Sequence, residues 1–161
     1  MPVGRCWPRS IARIWRPDLR VYTIGYEGAT QDAVIASLDA AGVRLLADVR
    51  AVPLSRRPGF SKNILAAGLK EAGIDYRGFK ALGTPAAGRE AARKGNLALL
   101  EQIYSGQLDL PEAMVQAAQL REIAEEQPTA LLCFERSPAC CHRSLLVRAA
   151  LPGAEVVDLF A

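Results

Sequence analysis

Short β-forming runs alternate with helix-periodic runs along nearly the whole chain from residue 20 onward, and this alternation is the strongest constraint on its fold. Arg20-Val21-Tyr22-Thr23-Ile24 is rich in β-formers and ends at Gly25, after which the chain turns through Tyr26-Glu27-Gly28-Ala29. Thr30 can cap a helix whose apolar positions Ala33, Val34, Ile35, Leu38 and Ala41 follow a 3.6 period, and Gly42 can end it. The pattern predicts a second strand over residues 43–50, a helix over 62–72 capped by Ser61 and stopped by Gly73, and a short strand over 74–77. Residues 82–88 read as irregular. Residues 89–126 read as two helices parted by 106–111, with Pro111 at a helix start. A buried strand over 129–134, a helix over 141–151 and a last strand over 155–159 complete the chain.

Strand-helix units in succession imply an α/β protein, a three-layer Rossmann-like fold with a mostly parallel sheet of about five strands and helices on both faces. Right-handed crossovers then bring the carboxyl ends of the parallel strands to one rim. Gly25-Tyr26, Asp48-Arg50 and Cys133-Glu135 are therefore expected to face a common crevice, where open α/β sheets bind their ligands.

A chain of 161 residues, half of them hydrophobic, is long enough for one domain with a substantial core, expected over residues 19–161. The formal charge of +3 arises within the first 18 residues, a basic and loosely ordered extension carrying Arg5, Arg9, Arg13 and Arg16. From residue 19 onward acidic and basic side chains balance, so nucleic acid binding there needs a local Arg cluster. No apolar run approaches the roughly 20 residues that cross a bilayer, which predicts no membrane partner. The spacing of Cys6, Cys133, Cys140 and Cys141 is not that of a secreted disulfide framework, and the expected compartment is the cytoplasm.

Chemistry concentrates in the stretch over residues 131–146, where an apolar run breaks into a polar turn and then resumes with helical spacing. The only His, three of the four Cys, one Glu and two Arg fall there. Arg50, Arg56 and Arg143 come from separate loops or strand ends and offer planar forks suited to phosphate or carboxylate. A helix starting near Cys141 would aim free N-H groups at the same crevice. Against this, Asp48 and Glu135 can simply pair with those arginines and hold the loops together.

Several of these residues stand together in a recognisable order. Thr23-Ile24-Gly25-Tyr26, Asp48-Val49-Arg50, Pro53-Leu54-Ser55-Arg56, Phe60-Ser61-Lys62, Leu82-Gly83, Cys133-Phe134-Glu135 and Cys141-His142-Arg143 resemble the motifs of the family of domains of unknown function numbered 488. The resemblance covers residues 21–151 and implies a compact α/β domain without an assigned activity. It points to Tyr26, Asp48, Arg50, Ser55, Arg56, Glu135, Cys141, His142 and Arg143, with Cys140 standing as an addition to the motif.

Three function classes follow from these residues. In the first, the Arg-rich crevice binds a small anionic ligand, a nucleotide or a nucleic acid phosphate, and hydrolyses it with Glu135 and Asp48 as acid and base. In the second, the same crevice binds without catalysis. In the third, Cys141 beside His142 and Arg143 is a stabilised thiolate at a helix start and acts as nucleophile. Tyr26 can stack on a ligand ring or pack on the next loop, and Ser55 belongs to the ligand-binding set. No metal is predicted, because the neighbouring Cys141 and His142 do not easily both turn toward one ion and no C-x-x-C pair is present. The residues specify neither a cofactor nor an oligomeric state.

Overall fold

The computed structural model describes residues 18–161, so the basic extension, with Cys6, lies outside the described residues. Five strands form one parallel sheet: β1 (Arg20–Gly25), β2 (Leu45–Asp48), β3 (Asp75–Gly78), β4 (Thr129–Cys133) and β5 (Glu155–Leu159), in the order β3-β2-β4-β1-β5. The helices are α1 (Gln31–Ala40), α2 (Lys62–Glu71), α3 (Ala86–Arg93), α4 (Leu97–Leu108), α5 (Pro111–Glu126) and α6 (His142–Ala150). The expected three-layer α/β architecture is what the chain adopts.

Alternation along the strands decides which residues meet which helices. Ile24, Leu46, Ala130 and Leu132 face α1 and α2, closing a core with Val34, Leu38, Leu65 and Leu69. Val21, Leu45, Ala47 and Leu131 face the opposite way, against Tyr104 of α4, Leu120 of α5 and Leu146 of α6. β4 sits at the centre of the sheet and is buried along its whole length, as a parallel strand covered on both faces should be.

Local signals set several boundaries as expected. The Thr30 side chain accepts the Ala33 N-H at the start of α1, and Gly42 follows the helix with φ of 73°, a conformation glycine adopts without a Cβ penalty. Other boundaries differ. Ser61 makes no capping bond, because its hydroxyl is engaged with the Ser55 backbone instead. The predicted second strand shortens at both ends to β2, although the Val49 N-H still donates to the Leu132 carbonyl.

The two helices expected over residues 89–126 are three. α4 runs straight through Gly106, while a break at Lys94-Gly95-Asn96 separates α3 from α4. That break combines Gly95 at φ of 70° with an Asn96 side chain that accepts the Leu99 N-H. Part of the segment read as irregular is also ordered, as a 3₁₀ turn (Lys80–Leu82) and the first turn of α3.

Candidate functional site

The strand order places the site. β1 and β2 are followed by α1 and α2 on one face, whereas β4 lies between those strands and is followed by α6 on the other. Loops diverge at the carboxyl end of β4, which opens a crevice there. It forms a cavity of about 330 Å³. Arg50, Cys133, Glu135, Cys141 and His142 supply its polar groups, Val52, Leu54, Leu100 and Phe134 its apolar wall, and Thr84 and Arg89 also line it.

Asp48 and Arg50 form a buried strut beside this cavity. Their side chains are 1% and 6% exposed, and the guanidinium meets the carboxylate through Nε at 2.8 Å and Nη2 at 2.6 Å. Arg50 Nη1 donates to the Phe60 carbonyl and the Tyr26 hydroxyl, and Tyr76 donates its hydroxyl to Asp48 at 2.5 Å. Burial works to lower the Arg50 pKa, but the bonds to Asp48 and Tyr26 outweigh it and hold the guanidinium above its ordinary value. Burial and the Asp48 carboxylate push the Tyr76 phenol up, so it remains a donor. The two side chains thus turn toward each other.

The second group is sulfur-rich. Cys133 ends β4, Cys141 is the N-cap of α6 and His142 is its first residue. The Cys133 thiol lies 2.9 Å from Glu135 Oε2 and 3.7 Å from His142 Nδ1. His142 Nε2 lies 2.8 Å from the Val49 carbonyl, an oxygen that can only accept, so Nε2 carries a proton and Nδ1 is the nitrogen whose lone pair is open to a ligand in the neutral ring. The two sulfur atoms and a ring nitrogen of His142 lie within 4.8 Å of one another. The steric objection to a metal therefore fails: Cys141 is extended, at φ of −140° and ψ of 170°, while His142 is already helical, and the change of conformation turns both side chains inward.

Arg143 is not the ligand fork expected of it. It is fully buried, donates through its backbone N and Nε to Cys141 Sγ at 3.3 and 3.0 Å, and its Nη2 bonds the Glu135 carbonyl. Its position in the first turn of α6 points it behind the cluster, where it clamps the loop between β4 and α6. Arg56 is exposed and does not line the cavity, and Ser55 shapes its own loop through Arg57 N and Ser61. Asp48 stays behind Arg50. Of Asp48, Arg50, Arg56, Glu135 and Arg143, only Arg50 and Glu135 line the cavity.

The expected thiolate at Cys141 is also corrected. The neighbouring Cys133 sulfur, then burial, pushes the Cys141 thiol up, and His142 and Arg143 only partly oppose this. Cys140, by contrast, is exposed. Brief iodoacetamide treatment of the native protein is expected to label Cys140 well before Cys141, read by peptide mass mapping. Faster labelling of Cys141 would restore it as an activated thiol.

A family model, described as Domain of unknown function DUF488, matches residues 30–150. The chain belongs to this family. No curated protein and no solved structure matches it. The DUF488 match begins after β1, so the Thr23-Ile24-Gly25-Tyr26 motif precedes it, while both halves of the sulfur cluster fall inside.

Within this DUF488 chain, Tyr26 lines the cavity and also packs on its neighbours. Its ring lies 4.3 Å from that of Phe60 at 14° and meets Phe134 edge-on at 5.4 Å. Arg89 and Thr84 are the polar cavity residues that the sequence reading missed, and Val52, Leu54 and Leu100 of the apolar wall were missed with them. Arg89 donates to the Thr84 carbonyl and has no ion pair among the described residues. Recognising residues 86–93 as a helix of their own was the signal that would have placed Arg89 near the crevice.

Proposed function

We propose that the crevice is the active site of an enzyme acting on a small ligand with an apolar body and one anionic group, a phosphate or carboxylate. The observation that carries this reading is the convergence of Glu135, Cys133, His142 and Cys141 on one cavity at the centre of the sheet rim. Glu135 is half-buried and borders the cavity, which suits it to exchange a proton with a bound ligand. Asp48 is not its partner in this chemistry, because four donor groups already occupy that carboxylate: Arg50 N, Nε and Nη2, and the Tyr76 hydroxyl.

The cations support a single charged group on the ligand. Arg50 is neutralised by Asp48, and Arg89 is the cavity arginine without an ion pair among the described residues. A mononucleotide or a short phosphate ester suits this set better than a nucleic acid strand, which needs several phosphate contacts. The exposed apolar wall formed by Val52, Leu54 and Phe134 favours an organic body over a bare anion. A reducing, cytoplasmic setting belongs to the reading, since the described cysteines are free thiols. No helix of the described residues is long and apolar enough to cross a membrane.

A thermal-shift panel of phosphomonoesters and organic carboxylates tests this, since ligand binding raises apparent stability by mass action. For a compound that stabilises the wild type, Arg89→Ala is expected to remove the shift. Glu135→Gln is expected to keep the shift while turnover of that compound falls by about 10²–10⁴-fold. Full turnover in the Gln variant would remove Glu135 from the chemistry. Binding with no turnover in the wild type would leave a non-catalytic module.

A further inference from the structure

We propose that Cys133, Cys141 and His142 bind one divalent metal ion of the zinc class through two sulfurs and Nδ1, leaving a coordination position on the crevice side. In a tetrahedral zinc site with bonds of about 2.3 Å to sulfur and 2.0–2.1 Å to nitrogen, ligand sulfur and nitrogen stand about 3.5 Å apart and two sulfurs about 3.8 Å apart. The Cys133 sulfur and His142 Nδ1 are 3.7 Å apart, and all three ligand atoms lie within 4.8 Å. Closing on an ion requires shifts of side chains only.

The surroundings match what a metal needs from its outer partners. A ligating His is held by a bond from its other ring nitrogen, which sets the tautomer and aims the lone pair; the Val49 carbonyl does this for His142. The Tyr104 ring backs the imidazole in an edge arrangement, with 5.2 Å between ring centroids. Arg143 donates two N-H groups to Cys141 Sγ and brings positive charge to offset that of two thiolates. All three ligands are buried, at 7%, 4% and 3% exposure, on the end of a central strand and the first turn of a helix. Sulfur and imidazole select a borderline-soft ion over magnesium or calcium.

Three protein ligands beside a cavity are the pattern of a catalytic zinc rather than a closed structural one. The remaining position borders the space that Glu135 also lines. Zinc there would act as a Lewis acid on a bound oxygen. This inference rests on the reading of that cavity as the active site for its functional meaning, but metal binding is measured independently of turnover.

The test uses the full chain, stripped of metal under reducing conditions and titrated with Co²⁺. One equivalent is expected to produce visible bands of low-symmetry Co²⁺ together with sulfur-to-cobalt charge transfer, and Zn²⁺ should displace it. Cys133→Ser and Cys141→Ser should each weaken zinc binding by more than about 100-fold, since loss of outer partners alone costs about 10–100-fold. Cys140→Ser, at an exposed position outside the cluster, should bind as the wild type does. Should either cluster variant misfold, X-ray absorption of zinc-loaded wild type decides, with two sulfurs and one imidazole expected around the ion. No retained zinc, an oxygen and nitrogen shell without sulfur, or an effect confined to Cys140→Ser would overturn the proposal. Metal binding without any turnover would overturn the catalytic reading and leave the metal site standing; turnover unchanged in metal-free protein would keep the catalytic reading and overturn the Lewis-acid role of the metal.

Discussion

Asp48→Asn is expected to lower stability by about 3–5 kcal/mol, because it leaves the Arg50 charge buried without its counter-ion. For a chain of this size that corresponds to a fall in melting temperature of roughly 6–20 °C. The cost exceeds that of an ordinary surface ion pair, worth about 0–1 kcal/mol, since water cannot replace the lost carboxylate at an arginine only 6% exposed. Arg50 also ties the Phe60 carbonyl and the Tyr26 hydroxyl to the same point, so the loop after β2 should loosen with it. Combining Asp48→Leu with Arg50→Met should recover much of the loss, as removal of a whole buried pair is often close to neutral. Chemical denaturation of the wild type and the two variants measures this. A single-variant loss below about 1 kcal/mol would show that water reaches the pair in solution.

Gly25→Ala is expected to cost about 3 kcal/mol and to disable the crevice, although it adds a single methyl group. A Cβ at this position would stand 1.8 Å from the Glu135 carbonyl oxygen and 2.5 Å from its carbon, both backbone atoms. That backbone cannot retreat cheaply. Tyr26 N donates to the Cys133 carbonyl at 3.3 Å, Glu27 N donates to the Phe134 carbonyl at 2.8 Å, and Arg143 holds the Glu135 carbonyl from behind. Moving it displaces the Glu135 carboxylate and the link between Cys133 and Cys141 together. Gly106→Ala provides the contrast, since a Cβ there meets nothing within 4 Å on the helix α4. It should be stabilising by about 0.5–1 kcal/mol. Equal melting temperatures for the two variants would refute the close approach at Gly25.

Both expectations concern one property of the site: it is held from outside the cavity. Asp48 holds Arg50, Arg143 holds Cys141 and the Glu135 backbone, and Val49 holds His142. Two of the three arginines that motif order suggests as ligand contacts are therefore engaged within the protein, Arg50 at the cavity edge and Arg143 behind it. Arg89, outside every motif, is the one left to meet a ligand among the cavity arginines.

Periodicity and turn chemistry alone determined the α/β class, the parallel sheet and the rim on which Arg50, Cys133, Glu135 and His142 gather. These depend on local pattern: apolar spacing in residues 31–41, β-branched content in β1, glycine after a helix at Gly42. Such signals weaken where polar helices are short, as in α3, so the sequence pattern does not place Arg89 at the crevice. The direction of each charged side chain was a tertiary decision. Tyr26 and Arg50 meet across 24 residues, His142 and the Val49 carbonyl across 93, and no spacing along the chain encodes those partners. Arg143 is a chain-local neighbour of Cys141, yet whether its fork faces ligand or interior depended on where β4 delivers the Glu135 carbonyl. A buried guanidinium takes whichever acceptors the packed elements bring within reach, since leaving it unpaired costs several kcal/mol (~3–5), and those acceptors exist only once the sheet has assembled.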